Sequence, residues 1–95
     1  MEVVYTGAFE GWFRRLRARQ ARVAIGTRIR RIERGNFGDH RSVGKGVSEP
    51  RINVGQGYRV YYTIRKQTVV ILLCGGDKAS QQPDIQRAQQ MVREI

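Results

Sequence analysis

The chain has 95 residues and a formal net charge of +10, from 18 Lys and Arg against 8 Asp and Glu. That length allows one domain with one shared core, and a charge so one-sided points to an anionic partner such as nucleic acid, an acidic protein segment or a membrane surface. A single cysteine, Cys74, and a single histidine, His40, exclude an intrachain disulfide and a zinc cluster, and leave too few ligands for a metal site; no cofactor is expected.

No apolar run approaches the roughly 18–20 residues of a membrane span, and the opening MEVVYTGAFEGWF has neither a charged leader nor a signal-type apolar region. A cytoplasmic protein without a membrane partner is the expectation. Glu2 to Tyr5 reads as a short strand, and Thr6 as the N-cap of a helix whose apolar residues Phe9, Trp12, Phe13 and Leu16 fall one and two turns apart. A second helical set, Ala21, Ile25, Ile29 and Ile32, lies out of phase with the first by roughly 150° at 100° per residue. One straight helix cannot bury both stripes on one sheet, so the spacing predicts a helical hairpin broken near Arg17 to Gln20 and ending at Gly35. The many arginines on these helices read as a solvated face with a collective long-range field.

Asn36 to Gly46 reads as a Gly-rich connection with a faint edge strand around Arg41 to Val43, and His40 sits in it. The next stretch, Val47 to Ser80, organises the rest. Alternation puts Pro50, Ile52, Val54, Tyr58, Val60, Tyr62 and Ile64 on an apolar face, and Glu49, Arg51, Asn53, Arg59, Tyr61, Thr63 and Arg65 on a polar one. A three-residue loop, Gly55-Gln56-Gly57, keeps those sets together by pairing Val54 with Tyr58 and Asn53 with Arg59. The polar face is expected to be concave and at least partly open. Val69 to Cys74 has no alternation, so it reads as an interior strand, antiparallel to its predecessor across a turn at Lys66-Gln67. Its end brings Lys78 back toward Arg59 and Arg51, a convergence of three cations. Cys74 reads as a small buried hydrophobe and Asp77 as a turn or cap residue. Ser80, Pro83 and Asp84 open a last helix with Ile85, Ala88, Val92 and Ile95 as its stripe. The fold class is α+β: a mostly antiparallel sheet with an N-terminal helical hairpin and a C-terminal helix, in one domain over residues 1–95.

Four motifs, G-N-F-G-D at Gly35, V-S-E-P-R-I at Val47, G-Y-R-V-Y-Y at Gly57 and L-L-C-G-G-D-K at Leu72, occur in order at compatible spacing. Over nearly its whole length the chain resembles the RelE/ParE toxin superfamily, in the subgroup called addiction module killer proteins, close to HigB-like toxins. The resemblance implies a cytoplasmic type II toxin neutralised by a cognate antitoxin, typically of helix-turn-helix type, which alone would contact operator DNA. RelE-like members cut mRNA on the ribosome; ParE-like members share the fold and inhibit DNA gyrase. The family's phosphate-binding arginine falls on Arg59, and its neighbouring basic positions fall on Arg51 and Lys78. Many nuclease members carry a His or Tyr near the C-terminus, whereas this chain ends MVREI.

Ribonuclease-type cleavage needs a base for the 2′-hydroxyl, cations for the charged phosphorane and an acid for the 5′-oxygen. Arg59 and Arg51 suit the cationic role, because guanidinium forks match phosphate oxygens. Lys78 suits either charge stabilisation or proton donation. Glu49 is the expected base, or equally a salt-bridge partner of Arg51 or a neighbouring arginine. Tyr61, Asn53 and Arg65 are expected to contact RNA, with Tyr61 either stacking on a base or filling that face by packing. Two other readings stay open beside a ribosome-dependent mRNA endoribonuclease: a non-catalytic gyrase inhibitor and a basic nucleic-acid-binding module without chemistry.

Overall fold

A computed structural model of the chain describes residues 1–95 apart from Asn53 and Gln56. The elements run β1 (Glu2–Tyr5), α1 (Gly7–Arg15), α2 (Arg19–Glu33), β2 (His40–Gly44), β3 (Val47–Pro50), β4 (Arg59–Arg65), β5 (Val69–Gly76), a 3₁₀ turn (Lys78–Ser80) and α3 (Gln81–Glu94). The five strands form one sheet in the order β1-β5-β4-β3-β2; β1 runs parallel to β5 and the other neighbours are antiparallel. This is the expected α+β architecture. No described helix is long and apolar enough to cross a membrane.

The two helical stripes meet one core because the helix breaks at Leu16 to Ala18. Thr6 Oγ1 accepts from Phe9 N at 3.1 Å to start α1. Leu16 then leaves the helical region with ψ of 115°. At the end of α2, Gly35 (φ 86°) donates to Ile32 O at 2.8 Å while Asn36 donates to Arg31 O at 2.9 Å, the paired bonds of a Schellman cap. Phe9, Leu16, Ala21, Ile25, Ile29 and Ile32 pack with Ile52, Val60, Tyr62, Val70 and Leu72 on one side of the sheet.

The opposite side of the sheet is not open. Val47, Tyr61, Leu73, Cys74 and Ala88 form a second cluster under α3, with Ile85, Met91 and Val92 against it. The face expected to be concave and polar is therefore roofed by the last helix, and Glu49, Tyr61 and Thr63 are buried beneath it. The stripe on α3 includes Met91, while Ile95, at the C-cap, is half exposed. Near the far end of β4, Ile64, expected on the apolar face, is also exposed.

Two irregularities set which side chains share a face. The β3–β4 pairing has Ser48 opposite Tyr62, a two-residue offset from the expected register that preserves the parity of both strands. Pro50 ends β3, and Arg51 N donates sideways to Asp39 O at 2.9 Å. The connection thus runs from 51 to 58, and the expected pairing of Asn53 with Arg59 lies outside the described residues. Across β4 and β5 the register shifts between Tyr61–Cys74 and Tyr62–Leu72, so Leu73 is an extra residue. That bulge puts Leu73 and Cys74 both under α3. The β4–β5 hairpin turns through a three-residue loop, with Arg65 paired to Val69, Lys66 (φ 54°) and Gln67 (φ 63°) left-handed, and Thr68 N donating to Arg65 O at 3.2 Å.

Candidate nucleic-acid site at the sheet end

Arg59 begins β4, Arg51 follows the end of the antiparallel β3, and Lys78 follows the end of the antiparallel β5. Topology therefore sends all three cations to one end of the sheet. Lys78 is exposed on the 3₁₀ turn, with its Cβ close against Gly57. Asp77 caps that turn, accepting from Ser80 N at 3.1 Å while its own N donates to Ser80 Oγ at 3.2 Å.

The centre of this end is a buried carboxylate between two guanidiniums. Glu49 has no exposed surface; Arg59 Nη1 lies 3.4 Å from its Oε1, and Arg41 Nη2 lies 3.4 Å from its Oε2. Arg59 keeps 19% of its side chain accessible and Arg41 keeps 44%. A carboxylate enclosed with one guanidinium on each oxygen is out of reach of an RNA 2′-hydroxyl. Sequence reading placed Glu49 on the right face but could not see the helix that covers it.

Tyr61 lies under the same helix, fully buried, so it offers no ring for stacking. Burial, together with the nearby charges of Glu49 and Asp84, pushes its phenol well above the usual range. Its hydroxyl and Arg59 Nε are both buried without a partner among the described atoms. Close approach of α3 to β5 depends on Gly76: a Cβ there would sit 1.8 Å from Asp84 Oδ2. On the opposite side, a Cβ on Gly75 would sit 2.4 Å from the Trp12 ring.

The other expected contacts separate. Arg65 stands at the far end of β4 from Arg59, where Nη2 donates to Val92 O at 3.0 Å and to Ile95 O at 3.4 Å, capping the C-terminus of α3. Arg51 is exposed and its Nε lies 3.9 Å from Asp39 Oδ1. Asn53 is outside the described residues. Two arginines were missed. Arg41 reaches Glu49 from the edge strand, and Arg28, read only as part of a solvated face, clamps three backbone carbonyls, those of Arg51 (2.6 Å), Asp39 (2.8 Å) and Phe37 (3.1 Å). Their alternation with Glu49 and their distance in sequence gave no local signal.

Two grooves flank the sheet. One, of about 570 Å³ between α1, α2 and Tyr5, is lined by Phe9, Phe13 and Ile29 together with Arg14, Arg22, Arg30 and the carboxylates Glu10 and Glu33. The other, of about 580 Å³, runs between β2 and α3 with Arg41 at its side.

The chain is 43% identical over 95 residues to an uncharacterized protein of Haemophilus influenzae, covering all of this chain and 96% of that one. No solved structure matches. Residues 11–93 match the family described as Phage derived protein Gp49-like (DUF891), toxin-like proteins related to the RelE and HigB toxins. With that match spanning almost the whole fold, the chain belongs to the Gp49-like family of phage-derived, toxin-like proteins.

Proposed function

We propose that this protein is the toxin of a type II toxin–antitoxin pair and acts in the cytoplasm as a ribosome-dependent, metal-independent mRNA endoribonuclease of the HigB-like kind. The observation that carries the reading is the anchored guanidinium of Arg59. A buried carboxylate fixes it, and part of its surface stays open at a cationic end of the sheet. A guanidinium held in place before substrate arrives stabilises a developing phosphorane without reorganisation, and losing one such donor costs about 10²–10³ in rate. Arg51 and Lys78, at the same end, supply further charge for the RNA backbone. Glu49 serves as the anchor for Arg59, and Tyr61 as a packing residue beside it. The chain's contribution is then charge stabilisation and positioning, while the ribosome aligns the 2′-hydroxyl with the scissile phosphorus.

The family's toxin-like character supports a neutralising antitoxin. The α1–α2 groove, with its apolar floor and a rim of three arginines and two glutamates, suits an amphipathic segment of that antitoxin. A second reading is favoured by one observation. Glu49, the base expected beside Arg59, is enclosed, which suits a ParE-like inhibitor that binds gyrase without chemistry.

Expression of wild type and Arg59→Ala in growing cells separates them. The nuclease reading expects growth arrest with new mRNA 5′ ends confined to translated messages, both lost in a still-folded Arg59→Ala, and partial rescue by Arg59→Lys. Arrest with intact mRNA and inhibited gyrase supercoiling would replace it by the second reading.

A further inference from the structure

The groove between β2 and α3 is polar, yet it is not a continuation of the cationic surface. Arg41, Ser42, Gln82, Ile85, Gln86 and Gln89 lie along it, and Arg41 is its one charged lining residue. Gln89 is committed to structure: its Nε2 donates to Val43 O at 2.9 Å and fastens the edge strand to α3. Gln82 and Gln86 are exposed and stand four residues apart on α3, one above the other on the same face. Each amide presents two donors and an acceptor.

Arg41 connects this groove to the proposed reaction centre. It holds Oε2 of Glu49 while Arg59 holds Oε1, so one buried carboxylate fixes the spacing of both guanidiniums. The two guanidiniums sit on opposite oxygens of one carboxylate, and Arg41 retains 44% of its side-chain surface for a second ligand. Neutral amides without a carboxylate or further cation are poorly matched to a run of phosphates. They match the hydrogen-bonding edge of a base, with Ile85 as apolar contact for its ring.

We infer that this groove is a base subsite for single-stranded RNA, in which Arg41 holds the phosphate next to the one at Arg59 and Gln82 and Gln86 read the base between. The inference rests on the nuclease reading and adds to it the residues that select the cut site.

The test compares wild type, Gln82→Ala/Gln86→Ala, Arg41→Gln and a control, Gln90→Ala, which lies on α3 outside the groove. Cut sites are mapped by 5′ ends in cells, and binding of an unstructured single-stranded RNA oligonucleotide is followed across salt concentrations. Alanine is a better helix former than glutamine, so the double variant keeps its fold. It should still cut, but with nucleotide preference beside the cut weakened about tenfold. Arg41→Gln should weaken binding to all sequences and lower the salt slope by about one. The control should match wild type. Cutting with unchanged preference in the double variant overturns the subsite and leaves the nuclease reading standing. Complete loss of cutting in a folded double variant also overturns it, because the amides would then serve the reaction and not the choice of site. A wild-type protein that neither cuts nor binds RNA overturns both.

Discussion

Replacing Glu49 by Gln keeps the shape of the side chain and removes the charge that two arginines share. If Glu49 is an anchor, the cost is that of a broken buried ion pair. The carboxylate has no exposed surface and Arg59 is 19% exposed, so their interaction is only weakly screened. Arg41, at 44%, contributes little after screening. Uncoupling a buried pair by removing one member typically costs about 3–5 kcal/mol; with one partner at the margin, about 3 kcal/mol is expected. For a domain of this size that lowers Tm on the order of 15 °C. The assay is denaturant unfolding followed by the fluorescence of Trp12, the only tryptophan. The double variant Glu49→Gln/Arg59→Gln supplies the decisive arm, since removing both charges leaves no uncompensated partner. Its loss should fall short of the sum of the singles by at least about 1 kcal/mol. Strict additivity, or a Glu49→Gln variant as stable as wild type but inactive, would refute the anchor and restore Glu49 as a base.

Three further outcomes follow from the packing. Gly75→Ala should cost about 1–3 kcal/mol and shift Trp12 emission, because the new Cβ would occupy the place of the Trp12 ring, which packs against the core; an unchanged spectrum would count against this packing. Tyr61→Phe removes a buried hydroxyl that has no partner among the described residues and should raise stability by about 1 kcal/mol in the same unfolding assay, whereas a loss of that size would mean the hydroxyl is bonded. Burial pushes the Cys74 thiol up from 9.0 to about 11 and raises Tyr61 in the same direction. The folded state therefore holds these protons more tightly than the unfolded chain. Their contribution, about 2–3 kcal/mol for Cys74, is complete below pH 9 and is lost as pH rises toward 11. Unfolding titrations from pH 8 to 11 should show that fall, and Cys74→Ala should flatten it.

Periodicity carried most of the fold. The out-of-phase stripes ending at Leu16 and beginning at Ala21 located the helix break, the unalternating Val69 to Cys74 located an interior strand, and Asp77 emerged as a cap. What alternation could not show was coverage. Glu49, Tyr61 and Thr63 look like a solvent face because polar and large aromatic side chains alternate with apolar ones, yet α3 encloses them. The enabling signal is the pair Gly75-Gly76, which admits Trp12 on one side and Asp84 on the other. The candidate site was legible as a set of charges at one sheet end, since antiparallel order alone brings Arg51, Arg59 and Lys78 there. The partners of Glu49 were not legible, because Arg41 reaches it from an edge strand and a polar pair leaves no hydrophobic trace. Arg65 shows the limit of face assignment: it shares the parity of Arg59 but stands at the other end of the strand, holding the last turn of α3.

The chemistry at Arg59 is tested most directly by the ends of RNA cut on ribosomes in a purified system. Ribosomes programmed with a defined mRNA are incubated with wild type or Arg59→Ala, and the products are analysed by primer extension and by enzymatic labelling of their termini. Attack by the 2′-hydroxyl, with protonation of the 5′-oxygen, should leave a cyclic phosphate or 3′-phosphate upstream and a 5′-hydroxyl downstream. The rate with Arg59→Ala should be lower by about 10²–10³. Downstream 5′-phosphates, cleavage undiminished in Arg59→Ala, or intact mRNA with wild type would contradict the account.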